Sequence, residues 1–100
     1  MTNQRFVGYW QKVTQNQCSA AYPDWLEFRS DNMYVGRSLE PGAFMQWDVG
    51  RYDIVNSEQV AISTANDAFI SYRFAINDQR LSFVDPDGCE FCYQRSDTPR

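Results

Sequence analysis

The stretch Ala68–Asn77, AFISYRFAIN, followed after Asp78 and Gln79 by Arg80–Asp85, RLSFVD, decides the fold. Ile70, Tyr72, Phe74 and Ile76 recur at every second position with Ser71 and Arg73 between them, which is the period of a half-buried strand rather than of a helix. Asn77 and Asp78 supply a tight turn, because short polar side chains bond their own backbone. Leu81 and Phe83 then alternate around Ser82, so the whole unit reads as a β-hairpin.

The same rhythm extends in both directions. Aromatic and β-branched segments over Arg5–Gln15, Trp25–Arg29, Met33–Ser38, Phe44–Val55 and Gln59–Thr64 precede the hairpin, and Cys89–Arg95 follows it. Turn residues separate them: Ser30, Asp31 and Asn32; Pro41 and Gly42; Ala65, Asn66 and Asp67; and Asp85, Pro86, Asp87 and Gly88. Gly50 predicts a bend or a close backbone approach within its strand. Asn16–Asp24 has room for a short helical turn at Ser19, Ala20 and Ala21 before Pro23, and the tail from Ser96 to Arg100 is expected to fray. About eight strands joined by connections too short for crossover helices pair antiparallel in sequence order. Closure into an up-and-down barrel removes the two exposed edges that such a sheet would leave.

Composition bounds the chemistry. One hundred residues fit one domain, and 43% apolar with 22% charged residues suit a globular chain. There is no His and Lys12 is the single lysine, so imidazole-based triads, zinc ligation and proton switching near neutrality are excluded. A net charge of -4 repels phosphate backbones and argues against nucleic acid as a partner. No apolar run approaches the roughly 20 residues of a membrane-spanning helix. The N-terminal MTNQRFVGYW lacks the apolar core of a secretory signal, which leaves either a cytoplasmic chain or a mature form with its leader already removed, and Met1 favours the first.

Several short motifs, taken in order, resemble the small bacterial lipocalin-like domains of the calycin group. Gly8, Tyr9 and Trp10 match the Gly-x-Trp opening, and Arg95 ends the last strand where calycins often set an arginine across that tryptophan. Leu26 and Phe28, then Trp47, Gly50 and Tyr52, then Tyr72, Phe74 and Ile76, then Leu81 and Phe83 follow in similar order over residues 5 to 95. The resemblance implies a barrel that binds a small apolar molecule without catalysis. The chain is far shorter than secreted lipocalins.

In such a barrel, alternation aims Trp10, Phe28, Tyr52, Tyr72, Phe74, Phe83, Phe91 and Tyr93 inward, with Trp47 near them. Trp10, Phe28, Trp47, Tyr52, Tyr72, Phe74, Phe83 and Tyr93 are therefore the candidate ligand-binding residues, an aromatic pocket whose phenols would orient a small flat or amphipathic ligand. The same residues equally account for a filled core, since an eight-stranded barrel holds little beyond its own side chains. Gly8, Trp10 and Arg95 read as a closure device, the guanidinium stacked over the indole with its donors on backbone carbonyls.

Cys89 and Cys92 form a Cys-x-x-Cys, but three positions apart on a strand they face opposite ways, and nothing completes a metal site. In a closed meander Cys18 approaches Cys89. A Cys18–Cys89 bridge fits that geometry, as do reduced packing thiols, which a cytoplasmic setting favours. The aspartates mostly fill turns, and Asp85-Pro-Asp-Gly lacks the oxygen ligands of a calcium loop. Asp48 and Asp53 would serve as an acid/base pair if they flanked a pocket mouth, but nothing in the sequence brings them together. No metal, cofactor or catalytic residue is expected. The rival to a ligand-binding module is an interaction domain, a filled barrel docking on another polypeptide or a second copy through Tyr9, Phe69, Met33 or Met45.

Overall fold

A computed structural model describes residues 4–40, 45–64 and 68–97. Eight strands close into a barrel in sequence order: β1 (Gly8–Lys12), β2 (Trp25–Phe28), β3 (Met33–Arg37), β4 (Val49–Ile54), β5 (Gln59–Ser63), β6 (Phe69–Ile76), β7 (Arg80–Val84) and β8 (Glu90–Ser96). Every neighbouring pair is antiparallel. The first and last strands zip together, with Tyr9 opposite Ser96, Trp10 opposite Arg95 and Lys12 opposite Tyr93. The turns expected around Pro41 and at Ala65, Asn66 and Asp67, together with Phe44 and the last residues of the tail, lie outside the described residues.

Two strands are shorter than the sequence pattern suggests. Regular pairing begins at Gly8 rather than Arg5, because Gly8 holds a positive φ of 134° that ends the strand and turns the preceding chain inward. The same glycine lacks a Cβ that would lie 2.7 Å from Arg95 Nη1. Pairing of β4 begins at Val49, so Met45–Asp48 is a connecting segment and Trp47 is not a strand residue. Gly50 is a close approach: a Cβ there would collide with Ser63 Oγ and crowd the Tyr34 ring.

Alternation places Trp10, Leu26, Phe28, Tyr34, Tyr52, Val60, Ile62, Tyr72, Leu81, Phe83, Phe91 and Tyr93 in one buried cluster. The barrel has two unlike ends. At one, Phe6 folds under the strands and packs against Phe28 at 5.3 Å and Phe74 at 4.9 Å between ring centroids. There Arg95 sends Nη1 to Val7 O, Nη2 to Arg5 O and Nε to Asp78 O, with its guanidinium 4.3 Å from the Trp10 ring centroid. At the other end, the chain between β1 and β2 crosses the mouth as a lid whose centre is a short 3-10 helix, Cys18–Ala21.

Candidate functional site

The lid is held from three sides. Beneath it, Lys12 Nζ donates to the carbonyls of Ser19 (2.8 Å) and Tyr22 (3.0 Å) and pairs with Asp24 at 3.3 Å. Lateral to it, the loop between β7 and β8 supplies two ties: a disulfide from Cys18 to Cys89 and a hydrogen bond from the Tyr22 hydroxyl to Asp85 Oδ2 at 2.6 Å. Asp85 is itself fixed, its Oδ1 accepting from the amides of Asp87 and Cys89. Across the mouth, the Gln46 amide donates to Ala21 O at 2.7 Å, joining the lid to the segment that carries Trp47. Of the two states the sequence leaves open for these thiols, the Cys18–Cys89 bridge is present, in place of the reduced packing thiols that a cytoplasmic setting favours. The lid's helical turn brings the two Cα atoms to 6.1 Å, a bridging distance. Cys92 stays free.

Under the lid sits Trp47, fully buried. Its ring meets Phe83 edge-on at 4.9 Å and Tyr72 at 5.1 Å, with Tyr22 and Phe91 each at 5.5 Å. Tyr22 stacks on Phe91 at 3.8 Å, so the lid contributes one wall of this aromatic box. An indole supplied by a connecting segment thus fills the space that the strands enclose.

The polar atoms inside the barrel separate into satisfied and unsatisfied. Trp10 Nε1 donates to Phe6 O, and the hydroxyls of Tyr34, Tyr52 and Tyr93 donate to the carbonyls of Ser63, Arg29 and Pro23. Among the described residues, Trp47 Nε1 is the buried side-chain nitrogen or oxygen that has no partner. It lies close enough to the Tyr72 phenol to favour that group's ionised form, yet the contact lacks hydrogen-bond geometry. A buried unpaired donor costs about 1–3 kcal/mol, so the box is filled by the least well satisfied of its rings.

Burial dominates the phenols' acidity. It raises Tyr72 despite the opposing indole N–H and Tyr22 hydroxyl, raises Tyr93 well above its ordinary value, and pushes Tyr34 up to about 12 against the lowering effect of the Ser63 side-chain hydroxyl. Tyr22 is raised by burial first and then by its bond to the Asp85 carboxylate. These phenols are neutral donors at physiological pH, not bases.

The eight residues expected to line a pocket do not converge on one site. Trp47, Tyr72 and Phe83 share the box under the lid, with Tyr93 6.0 Å from Phe83. Phe28, Tyr52 and Phe74 surround Phe6 at the opposite end, and Trp10 belongs to the Arg95 seam. Tyr22, Tyr34 and Phe6, missed by alternation, are core residues. Asp48 and Asp53 are exposed and line no interior space. Met33 and Phe69 lie in one outward row across β3 to β6, with Arg51 and Ser63 between them, while Tyr9 lies on β1 and Met45 beside the lid. An open groove of about 420 Å³ flanks the lid, lined by Lys12, Ser19, Tyr22, Asp24 and Leu39 among others.

Among the described residues, no group of three or more Cys, Asp or Glu side chains is placed to hold a metal ion. No helix among them is long and apolar enough to cross a membrane. Comparison with protein-family models, with curated proteins and with solved structures finds no match to this chain.

Proposed function

We propose that the protein is a non-catalytic binding module for a small, flat aromatic molecule, taken into the lid end of a lipocalin-like barrel in the place that Trp47 fills. The observation that carries this reading is the buried, unpartnered Nε1 of Trp47 on a segment outside the strands. Strand side chains cannot leave the core without breaking ladders, whereas residues 45–47, ahead of the Gly36–Asp48 backbone bond to β3, can swing out on release of the Gln46 amide from Ala21 O and return the indole N–H to water. The vacated box is edged by Tyr72, Phe83, Phe91 and Tyr22, which suits a ring of bicyclic size by edge-to-face contact. An N–H or O–H on the ligand, better placed than that of Trp47, would donate to the Tyr72 hydroxyl.

The lipocalin-like assignment is part of the same reading, supported by the eight-stranded meander and by the seam of Gly8, Trp10 and Arg95. A second reading, docking on another protein or another copy through the outer face, is favoured by Phe69 at 57% and Val49 at 64% exposure.

Indole is the probe that separates them. In calorimetric titrations the Trp47→Ala variant binds indole at least about tenfold more tightly than the wild type, because the competing side chain is gone. A folded Trp47→Ala protein that takes up no indole at about 1 mM, where even weak binding registers, overturns the proposal. Should that variant fold poorly, indole raising its melting temperature supports the reading just as directly.

A further inference from the structure

We propose that the Cys18–Cys89 disulfide is a redox latch on the lid: oxidised, it shuts the mouth over Trp47, and reduced, it lets the lid rise and the indole leave. This rests on the reading of the Trp47 box as the ligand site. The bridge joins the lid's helical turn to the β7–β8 loop, and the barrel is closed without it by the β1–β8 ladder. It therefore fastens a cover rather than the wall.

The coupling from latch to plug runs through four residues. Cys18 is tied to Cys89 and Tyr22 to Asp85 of the same loop, so the segment from Cys18 to Tyr22 is pinned at both ends. Between them, Ala21 O accepts from the Gln46 amide, next to Trp47, and Tyr22 forms one face of the indole's box. Opening the bridge leaves the lid held by hydrogen bonds, Tyr22 to Asp85 and Lys12 Nζ to the carbonyls of Ser19 and Tyr22, which open and reclose without covalent chemistry. A lid that lifts takes the Gln46 anchor and the Tyr22 wall away together.

The chemistry is ordinary thiol–disulfide exchange with a dithiol reductant. Its thiolate attacks the sulfur of Cys18, an exposed residue, whereas Cys89 is buried. The S–S bond breaks with its electron pair on Cys89, which takes up a proton. The reductant's second thiolate then displaces Cys18 as a thiol, and the dithiol departs as a disulfide. In a reducing cytoplasm such a bridge is a sensor rather than a permanent staple.

The test follows the indole N–H signals by NMR hydrogen exchange in the oxidised protein, in protein reduced with a dithiol, and in the Cys18→Ser, Cys89→Ser double variant. The latch predicts that, in the reduced and double-variant forms, the rise in Trp47 Nε1–H exchange exceeds that of Trp10 Nε1–H and the β1–β8 amides at least about tenfold, the latter following only the change in global stability. Equal Trp47 exchange in all three forms overturns the latch, and so does a rise shared equally by Trp47, Trp10 and the β1–β8 amides, which would make the bridge a staple of the fold. Indole titrations tell this failure from failure of the ligand reading. Uptake by Trp47→Ala with redox-independent Trp47 exchange removes the latch and leaves the site. Redox-dependent exchange with no uptake by any form removes the site, and with it the latch's role in binding.

Discussion

Arg95 lies directly opposite Trp10 across the seam of β1 and β8, its guanidinium carbon 4.3 Å from the indole centroid. One residue thereby covers the core tryptophan and, through three backbone carbonyls, pins the chain that enters β1 and the turn that follows β6. Arg95→Ala is expected to lower the unfolding free energy by about 2–4 kcal/mol, read from urea midpoints, by losing charged hydrogen bonds and ring contact together. Arg95→Lys should rescue little, because a point charge cannot reach three divergent acceptors.

Gly8→Ala tests the same seam from the other strand. The positive φ disfavours a side chain, and its Cβ would press on Arg95 Nη1. A loss of about 1–3 kcal/mol is expected, with Arg95→Ala and Gly8→Ala less than additive in a double-mutant cycle. Full additivity would mean that the two positions are not coupled.

Trp47 and Trp10 should respond oppositely to a change that keeps an aromatic ring and removes the N–H. Trp10→Phe forfeits the bond to Phe6 O and is expected to destabilise by about 1–3 kcal/mol beyond its smaller ring. Trp47→Phe removes an unsatisfied donor, so the benefit of that loss offsets the smaller ring. Parallel urea unfolding of the two variants checks the difference, and equal losses would deny that the Trp47 donor is unpaired in solution.

The phenols set an alkaline limit. Tyr34, Tyr72, Tyr93 and Tyr22 all have folded-state values raised above the ordinary value near 10. The unfolded chain then releases its phenolic protons at lower pH than the folded one, so stability is fully present below about pH 10 and falls as pH rises beyond it. A spectrophotometric titration should show these tyrosines ionising together with unfolding. Titration of all tyrosines near their ordinary value with the fold intact would contradict the burial described.

The bridge closes a sequence separation of 71 residues. Cys18→Ser with Cys89→Ser is expected to lower stability by roughly 2–4 kcal/mol through the freer unfolded chain, and to leave a folded barrel by circular dichroism. A larger loss with collapse of the β signal would show that the lid holds the strands.

How much of this was legible beforehand differs by element. Ile70, Tyr72, Phe74 and Ile76 alternate with polar residues, and that pattern located β6 and its inward face without help from tertiary contacts. Trp47 misled, because an aromatic residue next to the strand-forming run from Val49 looks like part of it. Only the bond from Gln46 to the lid and the start of strand pairing at Val49 place it on a connecting segment. Phe6 and Tyr22 lie outside the strands and are buried by the chain folding over the barrel ends, which no local period encodes. Tyr34 was ambiguous because Met33 and Val35 on the opposite face are apolar too. The Cys18–Cys89 pairing was compatible with the meander, but its formation depends on a lid geometry that sequence spacing does not specify.

The most direct test of the account is to locate the probe. Isotope-labelled Trp47→Ala protein with unlabelled indole is predicted to give intermolecular NOEs from the indole to the rings of Tyr22, Tyr72, Phe83 and Phe91. NOEs confined to the outward Phe69 and Val49, or none at saturating indole, would contradict it.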